Sequence, residues 1–173
     1  FGIQYNEKDK PINLKKYSDS VYKLTKKLKC KIIFEPGRSI IGDTGILLSK
    51  IQYIKKGAKK DFIIIDAGMN DFMRPALYDA VHKIIPIKKS KSKLKGTIEF
   101  VGPICESTCK FGSYKNYQKM SENDFVAITN VGAYGSSLSS NYNSRPLIAE
   151  LLVNKNKIKY IRKKQDLLKL INS

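Results

Sequence analysis

The chain has no tryptophan, one histidine, three cysteines, and 15 acidic residues against 33 basic ones in a length of 173. Each shortage excludes something. One histidine and three cysteines without a paired CxxC spacing leave too few soft ligands for a structural zinc ion, which needs four, so no metal is expected. Three cysteines cannot all pair. The opening FGIQYNEKDKP lacks the basic start, the continuous apolar run and the small-residue cleavage site of a secretory signal. Free thiols in a reducing, cytoplasmic compartment are therefore expected. No apolar run approaches the roughly 20 residues that span a bilayer, so the composition reads as soluble and globular, without a membrane partner. Position 1 is Phe rather than Met, and a piece of a longer polypeptide, starting in mid-domain, is expected.

What the chain has in excess is lysine. A net charge of +18 raises the question of a nucleic-acid partner. The distribution argues against one: the basic residues are scattered, and the only dense run, IKKSKSKLKG at 87–96, reads as a solvated loop between strands.

From Leu14 to Leu28 the apolar positions Leu14, Tyr17, Val21, Leu24 and Leu28 recur at steps of three and four, which predicts a helix. KIIF at 31–34 follows as a short strand-like run, and EPGR ends it. Helix, strand and polar turn are the grammar of an α/β unit. Beyond Arg38, strand-like runs succeed one another at 45–55, 62–66, 82–87, 97–102 and 125–131. LIAELLV and KIKYIRK flank Asn154-Lys155-Asn156 as a hairpin would, and QDLLKLI at 165–171 predicts a terminal helical turn. The expected fold is therefore the tail of an α/β domain, residues 1–40, followed by an antiparallel β domain, residues 41–173.

Four segments combine glycine or proline with chemically active side chains in loops. In Glu35-Pro36-Gly37-Arg38-Ser39, Gly37 permits close backbone approach and Arg38 offers a bidentate grip on an anion, although a strand-ending turn explains the same residues. In DAGMNDFMRPALYDAVH at 66–82, Arg74 precedes Pro75 and is expected to be extended. A helical turn started by the proline brings Tyr78 near it, either to bind a carboxylate or to pack; His82 reads as an ordinary strand residue. In GPICESTCKF, Glu106 beside Cys105 disfavours a thiolate, which suits a proton donor better than a nucleophile, against the alternative of an inert buried thiol. The run GAYGSSLSSNYNSRP at 132–146, with Tyr134 and Tyr142, suits polar contacts but also describes a plain surface loop.

Taken in order, EPGR, DAGMNDFMRPALYDAVH, GPICES and GAYGSSLSSNYNSRP resemble the successive signatures of the carboxyl-terminal half of diaminopimelate decarboxylases. The resemblance runs from Gly2 to QDLLKLI. It implies pyridoxal 5'-phosphate chemistry on an alanine-racemase-like TIM barrel, of which residues 1–40 are the last part, joined to an antiparallel β-barrel or sandwich domain. By the same resemblance, Glu35 faces the cofactor's ring nitrogen, Gly37 and Arg38 contribute to its phosphate site, and Tyr134 contacts cofactor and substrate. Arg38, Arg74 and Tyr78 bind substrate, Cys105 donates a proton, and Glu106 holds the distal ammonium. The Cys-Glu pair reaches into the neighbouring subunit's site, so a homodimer is implied. The implied reaction converts meso-diaminopimelate to lysine and carbon dioxide, the last step of lysine biosynthesis.

Two features depart from the family pattern. Thr108-Cys109 stands where Gly-Asp is usual, and no lysine of the chain sits in the context of the family's cofactor-bearing lysine, so the chain alone is expected to be inactive. The rival readings are a decarboxylase of ornithine or arginine on the same fold and a non-catalytic basic binding domain; related ornithine decarboxylases resemble Cys-Asp-Gly where this chain has Cys-Glu-Ser, which favours meso-diaminopimelate.

Overall fold

The computed structural model describes residues 1–5 and 10–172; residues 6–9, inside the opening FGIQYNEKDKP, and residue 173 lie outside the described residues. The first helix, α1 (Leu14–Thr25), forms where the apolar spacing predicts it. Asn13 caps it, its side-chain oxygen accepting from the Lys16 amide at 2.9 Å. None of its residues is buried. A small aromatic cluster holds it to the chain around it: Phe1 meets Tyr17 edge-on at 4.6 Å, and Phe34 lies 6.2 Å from Tyr17.

KIIF at 31–34 is not a strand. Its β-branched composition is that of one, but a strand exists only when a neighbour takes its backbone hydrogen bonds, and none of the described residues pairs with it. Ile33 and Phe34 are exposed. Residues 1–40, predicted as the tail of an α/β domain, hold among the described residues one helix, an extended segment and the start of a helical turn at Arg38–Ile41.

The body of the fold is a curled, mixed six-stranded sheet, a half-barrel, in the order β3-β6-β1-β2-β4-β5. Its strands are β1 (Ile46–Lys55), β2 (Asp61–Ile65), β3 (Ile84–Pro86), β4 (Thr97–Val101), β5 (Lys110–Lys115) and β6 (Phe125–Thr129). The predicted antiparallel sheet needs one correction: β2 and β4 run parallel, Ile63 opposite Phe100. Residues 66–96 make the crossover that a parallel pair requires, carrying the short helix at Arg74–Tyr78 and β3. Beyond the sheet, β7 (Glu150–Asn154) and β8 (Lys157–Arg162) form the predicted hairpin, turning through Lys155 at a φ of 53°. Three further helical turns are labelled α2 (Arg38–Ile41), α3 (Arg74–Tyr78) and α4 (Leu167–Ile171).

Alternation places Leu47, Ser49 and Ile51 of β1 inward, and Ile98 and Phe100 of β4 meet Ile63 and Ile65 of β2 in one core with Phe72, Ile84, Val126 and Ile128. Phe100 is fully buried and makes edge contacts with the rings of Tyr114 at 5.8 Å and Tyr117 at 5.1 Å. Those two phenols tie β3 to the sheet: the Ile84 amide donates to the Tyr114 oxygen at 2.8 Å, and the Tyr117 hydroxyl donates to the Ile84 carbonyl at 2.9 Å. The lysine-rich loop at 87–96 is exposed except near Leu94, which packs on the core.

Phe100→Ala removes the centre of this packing. A loss of about 3–5 kcal/mol of unfolding free energy is expected in urea denaturation; a loss under about 1 kcal/mol would contradict the assigned core.

Candidate active site

The site grows from the segment that follows β2. Asp66 at its start is held by Ser49, whose hydroxyl donates to the carboxylate at 2.6 Å, and by the Lys50 amide at 2.9 Å. The next turn closes on Asp71, which accepts from the Gly68 amide at 2.8 Å and from the Asn70 side chain at 3.1 Å. Arg145, from the distant 132–146 run, clamps this turn: it donates to the Asn70 side-chain oxygen at 3.0 Å and to the Asp66 carbonyl at 2.8 Å, and pairs with Asp71 at 3.5 Å. Burial pushes the Asp71 carboxyl up, against the pull of the Gly68 amide and Arg145. The Asn70 side chain also donates to the Ser140 carbonyl at 3.3 Å. Two of the four sequence motifs are thereby one structural unit.

The clamped turn leads into α3, whose first residue is Arg74. The extended conformation predicted for a residue before proline is not the one found: Arg74 is the first residue of the helix, with Pro75 in its first turn. It is 8% exposed, a buried cation. Its Nε donates to His82 Nε2 at 3.4 Å, and Nη2 reaches the Tyr5 hydroxyl at 3.5 Å. The guanidinium carbon stands 5.7–5.9 Å from the ring centres of Tyr5, Tyr78 and Tyr134. Among the described residues no carboxylate lies within ion-pair distance of it. Arg38 faces the same Tyr5 ring at 5.8 Å, and its guanidinium makes no hydrogen bond to the described residues. Two guanidiniums thus share one aromatic wall without an anion between them.

Tyr134 and Gly37 close the other side. Tyr134 takes a φ of 58°, a left-handed conformation that costs a non-glycine residue about 1–2 kcal/mol. A Cβ on Gly37 would stand 3.0 Å from the Tyr134 hydroxyl. The loop carrying Tyr134 is also locked at Gly132, where a Cβ would fall 1.9 Å from the Ile41 carbonyl, so only glycine allows it beside α2. Glu35 is exposed and makes no hydrogen bond to the described residues.

A second cluster lies on the 102–109 loop. Its backbone is closed by Gly102 N–H to Cys109 O at 2.9 Å and Cys109 N–H to Glu106 O at 3.0 Å. Cys105 and Cys109 are both free thiols, the first exposed and the second buried. Cys109, standing in the place usual for Asp, accepts from the Met69 amide at 3.4 Å. Its sulfur takes a backbone donor that a carboxylate could also take. The Tyr142 hydroxyl donates to Glu106 at 2.5 Å, and that hydrogen bond raises the phenol above its ordinary range. Among the described residues, no hydrogen bond or ring contact joins Cys105 or Glu106 to Arg38, Arg74, Tyr78 or Tyr134.

With the geometry in hand, comparison with known proteins is direct. The family model of the pyridoxal-dependent decarboxylase C-terminal sheet domain matches residues 15–132. The chain belongs to that family. It is 41% identical over 165 residues to the diaminopimelate decarboxylase of Aquifex aeolicus, a match covering 95% of this chain and 39% of that protein. The crystal structure of diaminopimelate decarboxylase from Helicobacter pylori complexed with L-lysine superposes with a TM-score of 0.87 at 42% identity, covering 99% of this chain and 42% of that one. The crystal structure of diaminopimelate decarboxylase from m. jannaschii in co-complex with L-lysine gives 0.88 at 35% identity, covering 99% of this chain and 40% of that one. The chain spans about two fifths of the length of the relatives it matches.

Within this sheet domain the structure brings together Gly37, Arg38, Arg74, Tyr78 and Tyr134, and no hydrogen bond or ring contact among the described residues joins Cys105 or Glu106 to them. Sequence reasoning missed Tyr5, His82, Tyr142 and Arg145. Tyr5 carries no local signal. His82 had one, being the only histidine of the chain and standing eight positions beyond Arg74. It is not an ordinary strand residue: it precedes β3, is fully buried, and uses both ring nitrogens. Burial lowers its pKa, as does the Arg74 guanidinium, while the Thr129 carbonyl pulls the other way.

The sign of that shift gives a pH dependence. The unfolded chain takes up a proton on His82 near the ordinary value of 6.5, and the folded chain resists it. Stability supplied by the neutral imidazole is therefore present above 6.5 and lost as pH falls below it. The Tm is expected to fall between about pH 7 and about pH 5, with a flatter profile in His82→Gln. A flat wild-type profile over that window would contradict the buried neutral ring.

Proposed function

We propose that this chain is the carboxyl-terminal part of a pyridoxal-phosphate-dependent diaminopimelate decarboxylase, forming lysine from meso-diaminopimelate at the last step of lysine biosynthesis. One observation carries the substrate reading: Arg74 is a buried cation, with Arg38 near it, and neither has an anionic partner among the described residues. A charge so placed suits a carboxylate or phosphate supplied by a ligand. The named activity of relatives at about 40% identity supports the same reading.

The residues present fit the cofactor. A Cβ on Gly37 would crowd the Tyr134 hydroxyl, Arg38 has donors available for a phosphate, and the exposed Glu35 carboxylate suits a protonated ring nitrogen. Pyridoxal phosphate, when bound, supplies an electron sink for the pair left behind by departing carbon dioxide. Glu35, Gly37, Arg38 and Tyr134 hold it. Arg38, Arg74, Tyr78 and Tyr134 hold the substrate, with Arg74 taking the distal carboxylate. Glu106, steadied by Tyr142, takes the distal ammonium, and the Cys105 thiol delivers a proton to the carbon from which the carboxylate left. The separation of Cys105 and Glu106 from the arginine cluster fits a homodimer in which this loop completes the neighbouring subunit's site.

Residues 1–40 are read as the end of the cofactor-binding barrel and residues 41–173 as the sheet domain, in a cytoplasmic enzyme. What supports the division is exposed apolar surface: Leu24 on α1 and Val153 and Ile158 on the β7–β8 hairpin stand 79%, 65% and 70% exposed, faces suited to packing on further chain.

The test is carbon dioxide release by the complete enzyme from meso-diaminopimelate, ornithine and arginine. A preference for meso-diaminopimelate is expected, and a preference for either of the others overturns the substrate reading. In the same enzyme, Cys105→Ala is expected to lower kcat by about 10²–10⁴ with a much smaller change in KM, since proton donation acts in the transition state. An unchanged kcat removes Cys105 from the reaction.

A further inference from the structure

We infer that His82 is a positioning residue: held neutral with its proton on Nδ1, it fixes the guanidinium of Arg74 and so selects the edge with which Arg74 grips a substrate carboxylate. The inference rests on the reading of Arg74 as the carboxylate-binding residue and goes beyond it.

The hydrogen bonds assign the tautomer. The Thr129 carbonyl, 2.9 Å from Nδ1, can only accept, so Nδ1 carries the proton. Arg74 Nε can only donate, so Nε2, 3.4 Å away, presents its lone pair. A protonated imidazole would place an N–H against the guanidinium, two cations in contact. The ring has no freedom to choose otherwise. Phe72 meets it edge-on at 4.6 Å and Tyr5 at 5.0 Å, it is fully buried, and its own backbone carbonyl accepts from the Tyr114 hydroxyl at 3.2 Å.

The consequence falls on Arg74. A guanidinium has two edges able to take a carboxylate bidentately, one made by Nε with a terminal nitrogen and one made by the two terminal nitrogens. His82 takes the Nε hydrogen and Tyr5 one of the two on Nη2, which leaves Nη1 and the other Nη2 hydrogen, the terminal edge, for a carboxylate. Tyr5, Tyr78 and Tyr134 around the guanidinium limit its remaining rotation. An acid or base role for His82 has no geometry to support it, since the ring has no exposed atom and both nitrogens are engaged.

The test uses the complete, cofactor-loaded enzyme and calorimetric binding of L-lysine and of cadaverine, which differs from lysine only by lacking the carboxylate. His82→Phe keeps a ring between Phe72 and Tyr5 and removes the lone pair; His82→Gln restores an acceptor. In His82→Phe the Kd of L-lysine is expected to rise about tenfold while that of cadaverine holds, and His82→Gln is expected to recover most of the loss. Equal weakening of both ligands, or of neither, overturns the inference. Arg74→Ala separates the two levels. If it fails to weaken lysine relative to cadaverine, the carboxylate reading of Arg74 is wrong; if it does so while His82→Phe does not, only the role of His82 is wrong. Nitrogen-15 NMR of the wild-type imidazole, its signals assigned as those missing in His82→Gln, is independent of ligand binding. A protonated Nδ1 and a bare Nε2 are expected, and a protonated Nε2 overturns the inference.

Discussion

The arrangement around Arg74 is the constraint on which the rest of the site depends. Taking a charged group out of water costs several kcal/mol even after relaxation. Here that cost is offset by one imidazole lone pair, one distant phenol and the faces of three tyrosines, each ring worth about 0.5–2 kcal/mol. Such contacts stabilise a cation without neutralising it. Among the described residues no carboxylate pairs with it, and on the proposed reading the positive charge is available to a ligand. On the proposed reading, a substrate carboxylate completes what the fold leaves unbalanced.

Keeping an uncompensated cation in place requires a rigid frame, and the chain provides it by linking segments far apart in sequence. Arg145 holds the turn at 66–71 from a position more than 70 residues later, and Asn70 returns a bond to Ser140. Thr129 at the end of β6 fixes His82, and Tyr114 on β5 fixes the backbone at the same residue. The parallel pairing of β2 with β4 matters for this reason. It forces the long crossover that carries Arg74 and His82 across the end of the sheet.

Much of this frame is legible in the residues, and the illegible parts have physical causes. Strands β1, β2, β4 and β6 and the β7–β8 hairpin follow alternation and β-branched runs, so their positions emerge directly. β5 is obscured because KFGSYK carries a glycine and two lysines. KIIF misleads in the opposite sense, having strand composition but no pairing neighbour. The direction of β4 relative to β2 is invisible because an apolar pattern encodes which face is buried, not which way the chain runs. In the site, Arg74 and Tyr78 meet because one helical turn separates them, a local fact. Tyr5 with Arg74, and Tyr142 with Glu106, meet only through the tertiary fold.

The central claim is that Arg74 is a cation kept for a ligand's carboxylate. The most direct measurement is a crystal structure of the complete enzyme with L-lysine bound. The account predicts the lysine carboxylate against the terminal nitrogens of Arg74, with Nε still on His82. An Arg74 paired instead with a carboxylate from elsewhere in the protein, and a lysine carboxylate bound away from it, would contradict the account.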